Sequence, residues 1–202
     1  NTMAGSPHSA GTHLPIGDLK LNFTYPEGEL SDYHHELDLT TATNTVTYKV
    51  GDTEYTRQCI ASNPDDVIAM HIKASRPESI TVELELQPLR NAEVVASGNQ
   101  LIYTGNAEFE KHGRGGVLFE GRIAAEIKGG TIKADGKKLL IDKATEVLLL
   151  SDVRTNYKNT TFAGYDYQQK CKETIEAASK KSFKTLRNTH VEDYTPLFSR
   201  VA

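Results

Sequence analysis

Ile80, Val82, Leu84 and Leu86 alternate without a break with Thr81, Glu83, Glu85 and Gln87. A period of two places the four apolar side chains on one face of an extended segment, so this stretch is committed to a sheet with one buried and one wet face. The same grammar runs from Ile16 to about Val153, with candidate strands at Leu19–Tyr25, His34–Leu39, Thr45–Val50, Thr53–Ala61, Val67–Ala74, Ile80–Gln87, Asn99–Thr104, Val117–Ile127, Thr131–Ala134, Lys138–Ile141 and Glu146–Val153. Turn signals separate them: Gly51-Asp52, Asn63-Pro64-Asp65-Asp66, Arg76-Pro77-Glu78, Gly129-Gly130 and Asp135-Gly136. Many short strands joined this way predict antiparallel meander or Greek-key pairing in a sandwich or barrel. Within Tyr33–Pro64, Leu37 with Leu39, Val46 with Tyr48 and Val50, and Tyr55 with Cys59 predict half-buried ribbon.

After Gly164 the period changes. Tyr167, Cys171 and Ile175 recur every fourth residue with Ala178 close by, and Phe183, Leu186 and His190 recur at three and four, which predicts two amphipathic helices. Asp166 suits the first as N-cap, and Ser182 or Ser179 the second. Thr195-Pro196-Leu197-Phe198 predicts a third short turn with Thr195 as cap and Pro196 at its first position. Tyr194, Leu197, Phe198 and Val201 make an apolar cluster: either the helices fold back onto the sheets, or a further segment covers it.

Composition narrows the function classes. A net charge of −4 gives no electrostatic footprint for nucleic acid or an anionic membrane surface. Basic residues gather at Lys170–Lys184, but Glu173 and Glu176 interrupt them, as on a solvated helix face. Apolar runs are strand-length only, far short of a bilayer span, and no signal-peptide pattern opens the chain. Residues 1–12, small and polar, read as a flexible leader, 13–163 as the β domain and 164–202 as a helical linker segment. The two cysteines, Cys59 and Cys171, fall on a predicted strand and a predicted helix, and read as small buried hydrophobes rather than a disulfide.

The candidate chemistry is sparse. Seven histidines invite a metal, yet none are spaced as common zinc ligands are, and adjacent His34 and His35 point to opposite faces of a strand. No metal or cofactor is expected. Glu83 and Glu85 share a strand face about 7 Å apart, a carboxyl separation compatible with inverting glycosidases; nothing apolar beside them would raise a pKa, so a solvated face is the reading. The loop from Lys111 to Gly116, with three glycines, is the segment best suited to touch a ligand, and His112 and Arg114 are its rim candidates. Trp, the best sugar-stacking platform, is absent, while Tyr is plentiful.

Certain words in the chain occur together in a known family: Leu14 to Leu19 (LPIGDL) with Leu21 and Phe23; Tyr33 to Leu39 (YHHELDL) with Ala42; Tyr55 with Arg57; Ala61 to Asp65 (ASNPD); Gly116 to Phe119 (GVLF); Gly129-Gly130; Ala144 to Leu150 with Thr155; His190 to Tyr194 (HVEDY); Leu197-Phe198; and Arg200-Val201. As a set they make everything after the leader resemble the N-terminal domain of glycoside hydrolase family 95, which contains α-L-fucosidases and some α-L-galactosidases. His34-His35 replaces a segment that usually bears arginine there, and Cys59 stands where an aromatic is usual.

The resemblance implies a two-sheet antiparallel sandwich of the supersandwich type followed by linker helices. It further implies that this chain is a fragment, with more strands ahead of it and a catalytic barrel of paired helices after it. In that family the barrel carries the general-acid glutamate and the water-activating aspartate with its asparagines; none of those motifs falls on this chain, so no catalytic residue is expected here. The implied partner is that barrel, possibly with a glycan at its rim, and the implied compartment is periplasmic or extracellular, with a cytoplasmic one left open. An independent carbohydrate-binding or adhesion module, or a sandwich of merely architectural likeness, are the alternative readings.

Overall fold

The protein is described here from a computed structural model covering residues 15–89, 91–107, 117–157 and 165–201. The described residues form twelve strands and two helices: β1 (Gly17–Thr24), β2 (Leu30–Asp38), β3 (Thr43–Val50), β4 (Thr53–Ser62), β5 (Val67–Ala74), β6 (Ile80–Pro88), β7 (Asn91–Ser97), β8 (Gln100–Ala107), β9 (Val117–Lys128), β10 (Thr131–Asp135), β11 (Lys138–Ala144), β12 (Glu146–Thr155), α1 (Tyr167–Ala178) and α2 (Phe183–Phe198). Two antiparallel sheets result, one of four strands in the order β1-β6-β11-β10 and one of eight in the order β2-β3-β4-β5-β12-β9-β8-β7. The mainly β, two-sheet sandwich with C-terminal helices is therefore the architecture.

Strict alternation does what it promised at β6: Ile80, Val82, Leu84 and Leu86 are all buried, while Glu83 and Glu85 point outward. They meet Tyr55, Ile72, Leu101, Phe119 and Val147 of the large sheet in the inner core. Packing there is close enough to require glycine. A Cβ at Gly121 would lie 2.1 Å from Cζ of Tyr103, and one at Gly105 would lie 2.7 Å from Cζ of Phe119.

Both helices fold back onto the outer face of the large sheet, which gives the molecule a second core. Ile175, Ala178, Phe183 and Leu186 pack against Ile60, Ala69, Ala124, Leu148 and Leu150. Asp166 caps α1 by accepting from the Gln169 N–H, and Ser182 caps α2 by accepting from the Thr185 N–H. Continuous apolar runs such as Val147–Leu150 suit β12, whose two faces serve the two cores.

Five expectations need correction. The reading omits β7, whose Ala- and Ser-rich sequence carries a weak pattern; only Val94 of its apolar residues is deeply buried. Local pairing holds for β2 to β5 and β7 to β9, but β12 inserts between β5 and β9, and β6 pairs with β1 and β11. Leu37 and Leu39 are not half-buried: each is 58% exposed, Leu37 on β2 at the edge of the large sheet and Leu39 in the turn that follows it. The third helical turn is not separate. Helix α2 runs through Pro196, which removes only one late backbone bond, and the Thr195 hydroxyl donates to the Thr40 carbonyl at 3.2 Å instead of capping. The Asp135-Gly136 hairpin also shifts by one residue, since Asp135 pairs with Lys138 and the loop is Gly136-Lys137, with Gly136 at φ +60°.

Candidate functional site

On the outer face of the small sheet, Glu83 and Glu85 of β6 share one cation. Lys138 of the neighbouring β11 places its Nζ 2.8 Å from Glu83 Oε1 and 3.2 Å from Glu85 Oε2, and Asn22 Nδ2 donates to Glu83 at 3.2 Å. The Lys138 ammonium, with Asn22, lowers the Glu83 pKa. A general acid requires the opposite shift. This pair is a part-exposed strand face on which two carboxylates share one ammonium.

His34 and His35 sit on exposed β2, bonded to Glu36 at 3.1 Å and to Asn44 at 2.7 Å. His71 stacks on Phe183 with centroids 4.9 Å apart and meets Glu146 Oε2 at 3.3 Å; burial lowers its pKa against the pull of Glu146. His190 is buried and bonds the Thr41 carbonyl at 3.0 Å. Among the described residues no three His, Cys, Asp or Glu side chains gather as metal ligands. The rim candidates His112 and Arg114 lie outside the described residues.

The charged chemistry that is buried lies where the helices dock. Asp65, in the β4–β5 turn, has a side chain only 2% exposed and accepts from Ser62 Oγ at 2.7 Å, Thr189 Oγ1 at 2.9 Å and Lys181 Nζ. Burial alone would raise its pKa, but these three donors outweigh it and hold the carboxyl below its ordinary value. Asp66, at φ +58°, reaches Arg154 at 3.2 Å. Arg154 also donates to Asp152 at 2.8 Å and Thr174 at 3.4 Å. Alongside, Arg122 donates to Glu120 at 2.7 Å, and Gln168 of α1 donates to the other Glu120 oxygen at 3.0 Å.

Burial raises the pKa of Asp152 against the pull of Arg154. That direction suits a general acid, yet the carboxyl is only 7% exposed and accepts from Arg154 Nε at 2.8 Å, an ion pair rather than a free acid. Turn chemistry was the sequence expectation for Asp65 and Asp66; the structure adds the role of anchor. Their partners Lys181, Thr189 and Arg154 lie 88 or more positions away, too remote for any local pattern to reveal.

A second cluster occupies the corner between β1 and β3–β4. Arg57 donates to the hydroxyls of Tyr25 and Tyr48 at 2.8 and 2.6 Å, and its guanidinium lies 4.1 Å from the Phe23 ring centroid. No carboxylate pairs with it among the described residues, so phenols and ring faces alone receive the charge.

The glycosyl hydrolase family 65 N-terminal domain matches residues 1–160. The chain belongs to this family. The match ends at residue 160, short of α1. The alpha-L-fucosidase 2 of Arabidopsis thaliana is 29% identical over 99% of this chain and 27% of its own length. An Aspergillus niger protein described as alpha-fucosidase A is 28% identical over 89% of this chain and 24% of its own length. The chain thus spans about a quarter of the length of these relatives. A solved structure from the human microbiome, described as a kojibiose phosphorylase, shares the fold with a TM-score of 0.60 at 12% identity, over 87% of this chain and 27% of that one.

For a family 65 N-terminal domain the distribution of polar groups is coherent. The acids named above are matched by cations or hydrogen-bond donors, and the buried ones hold helices to sheet.

Proposed function

We propose that this chain is the non-catalytic N-terminal domain of a fucosidase-like glycoside hydrolase of the family 95 type. In that reading the parent enzyme hydrolyses α-L-fucosyl linkages in glycans with inversion, a helical barrel carries the reaction, and this domain braces the barrel. The carrying observation is the similarity to fucosidases, which extends over 99% of the chain, through both sheets and both helices. Commitment of Glu83, Glu85, Asp65 and Asp152 to structural partners supports a supporting role over a catalytic one. Leu197 and Val201, 54% and 86% exposed at the end of α2, supply apolar surface for the barrel to cover.

The test is an assay of the purified chain with 4-nitrophenyl α-L-fucoside and with a 2′-fucosylated oligosaccharide. No turnover is expected, and co-expression with the barrel of the parent restores it, with inversion visible at the anomeric carbon. Inverting hydrolysis by the chain alone would overturn the reading, and specific glycan binding by the chain alone would favour a sugar-binding module.

A further inference from the structure

The triplet Asn22-Phe23-Thr24 has the form Asn-x-Ser/Thr with x other than Pro, the acceptor pattern for N-linked oligosaccharide. One other such triplet, Asn159-Thr160-Thr161, lies outside the described residues. Triplets of this kind are common by chance, and what the fold does with one decides its meaning. Strand β1 alternates along its whole length: Leu19, Leu21 and Phe23 pack on the inner core, while Asp18, Lys20, Asn22 and Thr24 are exposed. The two residues that define the triplet therefore stand on one wet face, about 7 Å apart, with the apolar residue between them turned inward.

That face is the outer side of the small sheet. Both helices dock on the large sheet instead, against β4, β5, β9 and β12. The side chains around Asn22 are charged: Lys20, Glu83, Glu85 and Lys138. Asn22 Nδ2 donates to Glu83 Oε1 at 3.2 Å. A primary amide carries two hydrogens, so replacing one by a sugar leaves the other for Glu83. An oligosaccharide attached there stays in water over polar surface, and no apolar burial is lost.

We infer that Asn22 is an acceptor for an N-linked oligosaccharide in a eukaryotic secretory compartment, and that the outer face of the small sheet is a free face of the domain. The co-reactant is a lipid-pyrophosphate-linked oligosaccharide. A bond forms between Asn22 Nδ2 and the anomeric carbon as the bond from that carbon to the pyrophosphate oxygen breaks. The amide gives up one proton, the lipid pyrophosphate leaves, and nothing is oxidised or reduced. A bulky substituent keeps a macromolecular partner off this face. The inference rests on the supporting-domain reading for one statement, that the barrel docks away from the small sheet.

The experiment secretes the 202-residue chain from yeast behind a signal peptide. Enzymatic deglycosylation in heavy-oxygen water then marks each occupied Asn as a labelled Asp for peptide mass analysis. Label at position 22 is expected in most molecules, is lost in Asn22→Gln and in Thr24→Ala, and is kept in Thr24→Ser. The melting temperature is expected to be the same before and after deglycosylation. Folded, secreted chain without label at position 22 overturns the site, and so does a fraction glycosylated there that is recovered only unfolded. The polypeptide that the gene encodes, secreted likewise, is expected to hydrolyse a fucoside equally well as wild type and as Asn22→Gln. Activity in Asn22→Gln but not in the glycosylated wild type overturns the free face. Activity in neither sinks the functional reading and leaves the glycan site standing.

Discussion

Removing the acceptor at Asp65 should detach the helices from the sheet before it disturbs the sandwich. Three donors converge on this carboxylate from three places: Ser62 at the end of β4, Lys181 between the helices and Thr189 within α2. The side chain is only 2% exposed, so in the native protein its donors are met by the carboxylate rather than by bulk solvent. Charge-assisted hydrogen bonds are worth about 1.5 to 3 kcal/mol each, and they do not add when partners can relax. Lys181 is 42% exposed and can turn to solvent, whereas Ser62 is buried and cannot. Asp65→Ala should therefore cost about 2 to 4 kcal/mol, and Asp65→Asn, which keeps the shape and one acceptor, about 1 to 2 kcal/mol.

The pH dependence has a definite sign. A carboxyl whose folded pKa lies below its unfolded value of about 3.9 contributes stability above that value and loses it as pH falls through the folded pKa. Asp152, pushed upward by burial, slopes the other way in the same acid range. The readout is therefore the difference in urea unfolding free energy between wild type and Asp65→Asn. That gap should be full from pH 5 upward and close as pH drops below about 4. Equal stability of the two proteins at pH 7, or a gap that persists unchanged into strong acid, would refute the reasoning.

Gly121→Ala should destabilise the inner core by about 1 to 3 kcal/mol, read by thermal unfolding, because the new methyl drives into the Tyr103 ring; Tyr103→Ala in the same chain should return part of the loss. Leu186→Ala, at a fully buried position of the outer core, should cost about 2 to 5 kcal/mol and raise protease sensitivity in α2 before the sheets. Burial, reinforced by Asp152 and Glu120, pushes the Cys171 thiol up to about 12. Iodoacetamide at pH 8 should accordingly leave it unmodified in the native protein and alkylate it in urea, as followed by peptide mass.

Most strands were legible because a period of two is a local property, and a half-buried strand such as β6 must display it. Helix α1 and the start of α2 were equally legible, with Cys171, Ile175, Phe183, Leu186 and His190 all buried as their spacing requires. Strand β7 escaped because Ala92 and Ala96 carry little hydrophobic contrast against their neighbours. The exposure of Leu37 escaped for a different reason: alternation says which side chains share a face, and only the second layer decides whether that face is covered.

The β class, the helical end, the cap at Asp166 and the outward face of Glu83 and Glu85 could be read from the sequence, whereas Ser182 and Ser179 were equal candidates to cap α2 until the fold chose Ser182. The readable features follow from short-range periodicity and from the chemistry of neighbouring side chains. Only the packed fold brings β12 between β5 and β9, Asp65 onto α2, and Arg57 among phenols. Each of those depends on groups distant in sequence becoming neighbours, and no local pattern encodes the pairing.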